Sequence, residues 1–348
     1  MSTKRKGRAV KTGRIEDERK YYYDMDALFE KFLAAKTAEG LAKSTVDNYR
    51  RQYGVFVSYL DEHGIGHDIR NVTADLVRDY ARWLLDDRVK FDGHKYKPDE
   101  SKTRGLSPRT VHDYVKCIRM FFRFLASEGI IDEDPLAGLK NVKYTDPDIQ
   151  VLTPEEIKVL LAAPNQRKYA DFRDYVLMTL LLDSMLRINE ACSLKKSDID
   201  WRAGTIMVRA SVAKTRKPRV VPVQKRTLRL LKELIKETEE FDSEYVFLAN
   251  YGEPLTPNQF RQRLNKYAKE AGLKRNVHPH LFRHTAATMA LENGMSVRHL
   301  QLILGHSDLR MITRYTHLTT KELAKQHEQY SALNRVLEAK NKPRKILR

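Results

Sequence analysis

Residues 107–129, SPRTVHDYVKCIRMFFRFLASEG, carry several sequence signals of an amphipathic helix. Ser107 and Pro108 are typical of an N-cap and a first helical turn, and Gly129 is typical of a helix end. The apolar positions between them recur at steps of three and four, at Val111, Tyr114, Val115, Ile118, Phe122 and Leu125. The segment therefore predicts a helix with one buried face.

Three more apolar stripes with helical spacing lie upstream of this segment. They are Leu28, Phe29, Phe32 and Leu33; Val46, Tyr49, Tyr53, Phe56 and Leu60; and Leu76, Tyr80, Trp83 and Leu84. Because an amphipathic helix has to bury its apolar face against another element, these stripes predict a helical domain over residues 21–132. Residues 88–106 interrupt it as a basic insertion, either a solvated loop or a contact to a phosphate backbone.

Residues 133–150, EDPLAGLKNVKYTDPDIQ, contain two prolines and a glycine without any sustained period, which predicts a linker. A capping box from Thr153 to Glu156 then begins a second domain over residues 151–320. Its features are an apolar helix ending near Leu186, β-like runs at 205–210, 219–223 and 245–248, and helices from Pro257 onward. The predicted fold class is therefore mainly α with a small antiparallel β-sheet.

The charge balance of the 348 residues points to a polyanionic partner, because 64 Lys and Arg face 46 Asp and Glu for a net charge of +18. Part of the excess lies in two basic tails, residues 1–20 and 321–348, which are either solvated or in contact with DNA. Cys117 and Cys192 are too far apart in sequence to suggest a disulfide framework or a zinc ribbon. With no apolar segment for a membrane and no signal peptide, we expect a cytoplasmic protein associated with the nucleoid.

The residues with chemical potential lie in the second half and are mostly cations. Arg187 is three residues before Glu190, so the carboxylate can hold the guanidinium on one helix face. In the segment HLFRH, the spacing places His280, Arg283 and His284 on one side of a helix. Such a polar cluster predicts a functional site or a set of satisfied buried groups.

Further candidates follow in the sequence LGHS, where Gly305 suits a tight junction between helices and His306 comes next. A metal site of His280, His284 and His306 is a disfavoured alternative, because zinc sites usually enlist Cys or carboxylate ligands as well. Tyr315 lies nine residues after His306. Taken alone, this tyrosine is more typical of a core or interface residue than of a catalytic one.

Together these residues resemble the tyrosine recombinases, the integrase and Xer-like enzymes of DNA strand exchange. The resemblance rests on an ordered set, including the nine-residue step before the tyrosine: Arg187, Lys214, His280-x-x-Arg283, Leu-Gly-His306 and Tyr315. It implies a helical, SAM-like core-binding domain in the first half and a mixed α/β catalytic domain in the second. It also implies double-stranded DNA with a specific core site as partner, with no metal and no cofactor.

The resemblance assigns a role to each residue. It implies Tyr315 as the nucleophile that forms a 3′-phosphotyrosyl link, and Lys214 as the general acid for the departing 5′ oxygen, with Lys217 and Arg219 as nearby rivals. The remaining expected roles concern the phosphate: stabilisation of its charge by Arg187 and Arg283, orientation or general base by His280, hydrogen bonding by His306, and support by Glu190 and His284. Two guanidiniums suit a phosphorane because they stay charged and grip planar oxygen pairs.

The resemblance further implies four protomers on two DNA sites that exchange strands through a Holliday junction. The C-terminal segment 320–340 is expected to dock on a neighbouring protomer or to fold back on its own domain. Two alternatives remain open, a type IB topoisomerase and a DNA-binding protein that does not cut. The departures from the family pattern are apolar: Met185 stands where many relatives have glycine, and Phe282 replaces a common leucine.

Overall fold

The computed structural model describes residues 23–90, 102–145 and 151–305. The chain divides into two compact units, Met1–Pro147 and Asp148–Arg348. The described part is mostly helical with one small antiparallel sheet, so the predicted fold class is confirmed. Within these described ranges, no helix is both long enough and apolar enough to cross a bilayer.

The first unit is formed mainly by the helices α1 (Met25–Ala38), α2 (Lys43–Glu62), α3 (Ala74–Asp86) and α4 (Pro108–Ser127). The Ser107 hydroxyl accepts a hydrogen bond from the backbone N–H of Thr110, which confirms the predicted N-cap of α4. The predicted apolar stripes lie in a common core, in which Phe29 stacks on Tyr53 with ring centroids 3.8 Å apart. Three stripe positions, Tyr49, Leu76 and Tyr114, are only partly buried, and Val77 is fully buried next to Leu76.

The segment predicted as a linker is partly built into the first unit. Leu136 and Leu139 are buried in the same core as the four helices. The ends of the basic insertion also approach each other, because Val89 pairs with Arg104 in an antiparallel bridge.

A buried hydroxyl in the first unit gives a testable prediction about stability. Tyr80 is fully buried, and within the described residues its hydroxyl has no hydrogen-bond partner. Tyr80→Phe keeps the ring, which packs edge-on against Phe56, and removes the desolvated polar atom. We expect the free energy of unfolding of the first unit to rise by about 1 kcal/mol.

The thiol of Cys117 can report this change, because it is buried in the same core and burial raises its pKa to about 12. The measurement is the urea dependence of Cys117 alkylation, read by mass spectrometry. Tyr53→Phe is the matched control, because the Tyr53 hydroxyl donates a 2.6 Å hydrogen bond to Asp26 and its loss should lower stability. A Tyr80→Phe variant that unfolds at lower urea than wild type contradicts the prediction.

The described part of the second unit contains seven α-helices, two short 3-10 helices and three strands. The helices are α5 (Pro154–Ala162), α6 (Tyr169–Ser184), α7 (Ile188–Cys192), α8 (Lys225–Glu237), α9 (Pro257–Glu270), α10 (Pro279–Glu292) and α11 (Val297–Leu304). The capping box predicted at Thr153 is present, because its hydroxyl and the Glu156 carboxylate each accept from the other residue's backbone N–H. The helix α6 has no exposed residue and packs against α8 and α10.

The sheet has the order β1 (Ile199–Asp200), β2 (Thr205–Val208) and β3 (Arg219–Pro222), with antiparallel pairing throughout. The runs predicted at 205–210 and 219–223 therefore form strands. The prediction of a third strand at 245–248 is wrong. This run makes isolated bridges, and Ile199–Asp200 is the third strand of the sheet. The residues Val246, Phe247 and Leu248 are all fully buried, so this apolar run fills the core without the alternation of a sheet strand.

A buried ionic network joins α6 to α9. The Asp174 carboxylate, which is fully buried, accepts hydrogen bonds from Arg173, Arg263 and the Tyr267 hydroxyl. Such a carboxylate is tolerated in a core only because its acceptor positions are filled by donors. The network thereby fixes α9 against the helix that leads directly to Arg187.

Candidate active site

A sharp turn after α6 sets the position of Arg187. Met185 has the left-handed backbone conformation, with φ of 53°, and ends the helix. Its side chain is buried among residues of α10 and α11, including Ala287 and Leu300, so packing compensates for a conformation that glycine would adopt more easily. The chain then places Arg187 at the N-cap of α7, with its side chain 16% exposed.

The predicted pair of Arg187 and Glu190 is present. The Glu190 carboxylate accepts from the backbone N–H of Arg187 at 2.9 Å and from its Nη1 at 3.0 Å. The same carboxylate accepts from Nη1 and Nη2 of Arg219, at 3.1 and 2.7 Å. Burial raises the pKa of the Glu190 carboxyl, but hydrogen bonds from Arg219 and Arg187 outweigh it and hold the pKa below its usual value. Glu190 is therefore an ionised carboxylate shared by two guanidiniums.

The second expected phosphate-binding arginine, Arg283, lies on α10 and is buried. It donates from Nη1 to the carbonyl of Met185 and from Nη2 to the carbonyl of Leu304, the latter at 2.6 Å. Its guanidinium therefore joins the turn before Arg187 to the end of α11. Gly305 caps α11 with φ of 64°, and the second helix of the predicted junction lies outside the described residues.

His280 is the second residue of α10, one turn before Arg283, and it is exposed to solvent. Surrounding protein atoms nevertheless remove part of its hydration, and this desolvation lowers its pKa. The nearby charges of His278, Arg283, Arg261 and Arg187 lower it further. The ring is therefore neutral at neutral pH and can accept a proton. His284 is half-buried on the same helix.

Lys214 lies in the turn between β2 and β3 and is exposed, as is its rival Lys217. The third candidate for the acid, Arg219, is committed elsewhere, since all three of its guanidinium nitrogens donate to Glu190 or to the carbonyl of Ile303. The geometry thus leaves two lysines as candidates on this turn.

Among the described residues, Arg187 contacts Glu190, Arg283 binds the turn just before Arg187, and the charges of both arginines act on His280. His306 and Tyr315 lie outside the described residues. The proposed metal alternative involves His306, so its third ligand also lies outside them. The sequence interpretation missed the partnership of Arg219 with Glu190. A signal existed, because Arg219 alternates in register with the buried Val221 and not with the exposed Val220.

Models of two protein families match this chain. The phage integrase family matches residues 150–322, and the phage integrase SAM-like domain matches residues 25–144. The tyrosine recombinase XerD of Listeria monocytogenes serovar 1/2a is 30% identical over 313 residues, which cover 88% of this chain and 99% of the relative. The chain belongs to the tyrosine recombinase family. This confirms the resemblance seen in the sequence and the expected enzyme class, a tyrosine-type site-specific recombinase.

Other relatives of this tyrosine recombinase support the assignment. XerC of Chlamydia caviae is 33% identical over 234 residues, covering 66% of this chain and 74% of the relative. Two solved structures share the fold: the Tn1549 transposon integrase with a circular intermediate DNA and XerH bound to palindromic difH. Their TM-scores are 0.68 and 0.64, at 22% and 20% identity. They cover 88% and 86% of the recombinase, and 99% and 83% of their own chains.

The two departures from the family pattern are now explained by packing. Met185 adopts the left-handed conformation that glycine favours and still fills a buried cluster between α10 and α11. Phe282 is fully buried in the main core of the second unit, on the side of α10 opposite the exposed His280. Neither change removes a polar group from the candidate active site of the recombinase.

Proposed function

We propose that this recombinase cleaves and rejoins DNA strands at a specific core site through a 3′-phosphotyrosyl intermediate at Tyr315. The observation that supports this proposal is the arrangement around His280. The charges of both Arg187 and Arg283 act on its ring, and each guanidinium is held by protein contacts. Fixed cations beside a neutral base are the arrangement that phosphodiester attack by a phenol requires.

In the proposed reaction, the Tyr315 hydroxyl attacks the scissile phosphorus and His280 takes the phenolic proton. Arg187 and Arg283 stabilise the charge on the non-bridging oxygens, and His306 donates a hydrogen bond to the same phosphate. The bond from phosphorus to the 5′ oxygen then breaks, and this oxygen receives a proton from the Lys214 ammonium. The products are the 3′-phosphotyrosyl link and a free 5′-hydroxyl, so the bond energy is stored for religation.

The supporting residues act on these groups. Glu190 holds Arg187, and His284, half-buried next to Arg283 in sequence, is proposed to buttress α10 at this point. We assign DNA binding to a helical domain over residues 21–132 and catalysis to residues 151–320. Residues 133–150 would connect them, with Leu136 and Leu139 packed into the core of the first unit, and the basic segments 1–20 and 321–348 would contribute tails.

The proposed assembly is a homo-tetramer on two DNA sites that exchanges strands through a Holliday junction. Similar structures support DNA as the partner, because the Tn1549 integrase and XerH were each solved on DNA. A lambda integrase dimer bound to a core site shows that two copies of a related fold occupy one site. The net charge of +18 also favours a polyanionic partner.

The function is tested by covalent capture. A duplex library with a randomised window and a nick in its centre is incubated with the protein, so that cleavage releases a short fragment and traps the adduct. We expect an adduct that survives denaturing detergent, and sequencing of its DNA identifies the captured site. No adduct would overturn the proposal and favour a non-cutting DNA-binding protein. Relaxation of plasmids without strand transfer between two captured sites would favour a topoisomerase.

The lowered pKa of His280 predicts a pH dependence. Because the pKa lies below the ordinary value of about 6.5, the ring is neutral at pH 7 and the base form is lost only as the pH falls through the lowered pKa. We expect the rate constant of adduct formation at limiting protein, which reports the free enzyme, to fall at low pH with a midpoint below a pH of about 6.5.

Two variants test whether His280 causes the fall in rate at low pH. His280→Asn should remove it and lower the rate, whereas His278→Asn, altered at the neighbouring N-cap of α10, should retain it. A limb with a midpoint above a pH of about 6.5, or one that persists in His280→Asn, argues against His280 as the base.

A further inference from the structure

Arg219 links three separate parts of the second unit. It begins β3, and its side chain is only 9% exposed. Its guanidinium grips both oxygens of Glu190 and donates from Nε to the carbonyl of Ile303 at 2.9 Å. One side chain thus joins the sheet, the helix that follows Arg187 and the end of α11.

The first consequence is electrostatic. Glu190 with Arg187 alone would be a neutral pair, in which the whole charge of the carboxylate acts on the guanidinium expected to bind phosphate. Arg219 supplies a second positive charge to the same carboxylate, so the three groups together carry a net positive charge. Nothing within the described residues accepts from Nε or Nη2 of Arg187, so these donors are available to a ligand.

The second consequence concerns the turn before His306. A side-chain carbon at Gly305 would lie 2.9 Å from Cδ and 3.1 Å from Nε of Arg219. The glycine therefore allows the backbone to lie directly against the arginine while Nε holds the carbonyl of Ile303. The position of this turn is thereby tied to Glu190 and, through it, to Arg187.

We infer that Arg219 is a positioning residue that balances the charge of Glu190, leaves Arg187 free for the scissile phosphate, and fixes the turn preceding His306. This inference rests on the proposed function, because it concerns the rate of cleavage at the same site. Arg219 itself does not touch the substrate and acts through Glu190 and the carbonyl of Ile303.

The test compares Arg219→Met, Arg219→Lys, Glu190→Gln and the double variant Arg219→Met/Glu190→Gln on the captured site. The readouts are the single-turnover rate constant of adduct formation at saturating protein and the dissociation constant for DNA. We expect Arg219→Met to lower the rate constant about 100-fold and to leave the dissociation constant within about threefold. Arg219→Lys keeps the positive charge but cannot bind both oxygens of Glu190 as the planar guanidinium does, so its rate constant should fall about tenfold.

The double variant separates positioning from a purely structural role. Glu190→Gln removes the negative charge that Arg219 balances and keeps one acceptor oxygen for Arg187, whose backbone N–H and Nη1 bind different oxygens of the carboxylate. We therefore expect the double variant to be at least about tenfold faster than Arg219→Met, although it lacks more wild-type groups. Failure of Glu190→Gln to accelerate the Arg219→Met variant would overturn the inference.

Arg209→Met is the matched control. Arg209 follows β2, donates to the Asp198 carboxylate at 3.0 Å and to the carbonyl of Ser193 at 2.6 Å, and has no contact with Glu190. Its removal costs a comparable set of contacts, so we expect the cleavage rate constant to stay within about twofold. An equal loss of rate in Arg209→Met would show a general effect of stability and would overturn the positioning role.

Alkylation of Cys192 reports whether each variant is folded, because this thiol is buried in the second unit. Burial raises its pKa to about 12. If Arg219→Met allows alkylation of Cys192 in native buffer, the comparison is made with Arg219→Lys and its Glu190→Gln double variant. A wild-type rate in a folded Arg219 variant would overturn the inference. Absence of any adduct with the wild-type protein would instead overturn the proposed function.

Discussion

Tyr315→Phe is expected to abolish covalent attachment to DNA while the protein still binds the captured site with wild-type affinity. The change removes the hydroxyl alone and leaves a ring of nearly the same volume. Without that oxygen no phosphotyrosyl bond can form, and the positioned cations around Arg187 have no nucleophile to assist. Loss of a nucleophile typically costs on the order of 10⁴-fold or more in the rate of the chemical step.

The measurement has two parts, the yield of detergent-resistant adduct and the dissociation constant from a titration of labelled duplex. Tyr251→Phe is the matched control, because Tyr251 lies in the same unit and is 67% exposed, and its hydroxyl accepts a hydrogen bond from the Gln259 side chain, its one side-chain partner among the described residues. We expect this control to form adduct at the wild-type rate. Full adduct yield with Tyr315→Phe would remove Tyr315 from the mechanism and require another nucleophile.

The helices of this protein follow from local signals. The N-cap at Ser107, the capping box at Thr153 and the three-and-four spacing of the apolar stripes each depend on residues within a few positions of one another. These signals state which face of a helix is buried and where it begins. They identify the helical first unit without knowledge of any contact between distant residues.

The sheet shows where local signals fail. The run 245–248 is as apolar as a strand, yet Val246, Phe247 and Leu248 are fully buried and the run makes only isolated bridges. The true third strand is two residues long and carries no signal of its own, because its pairing with β2 is decided by the turn that follows it. Whether two residues form a strand therefore depends on the strand they pair with and not on their own sequence.

The contacts of the candidate site are also of two kinds, those that local sequence predicts and those that depend on the tertiary fold. The pair of Arg187 and Glu190 is three residues apart, so helix geometry predicts the contact. The contact of Arg219 with Glu190 spans 29 residues and requires the tertiary fold, as does the reach of Arg283 to the carbonyls of Met185 and Leu304. Residue types indicated which groups belong to the site, but only the fold shows which of them hold the others in place.

The general acid provides the second large effect. Lys214→Met should slow adduct formation about 1000-fold on ordinary DNA, because a departing alkoxide needs a proton and general acids contribute roughly 10²- to 10⁴-fold. Lys217→Met should have little effect at saturating protein, although Lys217 is exposed on the same turn between β2 and β3. The comparison decides between the two lysines that the contacts of Arg219 leave as candidates.

Replacement of the bridging 5′ oxygen by sulfur tests the role of Lys214 directly. A thiol is far more acidic than an alcohol, with a pKa of about 8.5 for cysteine, so a thiolate leaves without a proton from the enzyme. On this substrate Lys214→Met should recover to within about tenfold of wild type. Arg187→Met should gain no such recovery, because the charge that Arg187 stabilises on the phosphorane is present with either leaving group.

The measurement is the single-turnover rate constant of each variant on matched oxygen- and sulfur-bridged duplexes. The quantity compared is the rate constant on the sulfur-bridged duplex divided by that on the oxygen-bridged duplex. Taking the ratio cancels any loss of DNA affinity or folding, since both substrates meet the same protein. If the sulfur-to-oxygen ratio is much larger than wild type in Lys217→Met and equal to wild type in Lys214→Met, Lys217 is the general acid. Ordinary ratios in both would mean that the proton reaches the 5′ oxygen from a group outside this turn, and the assignment of Lys214 would be wrong.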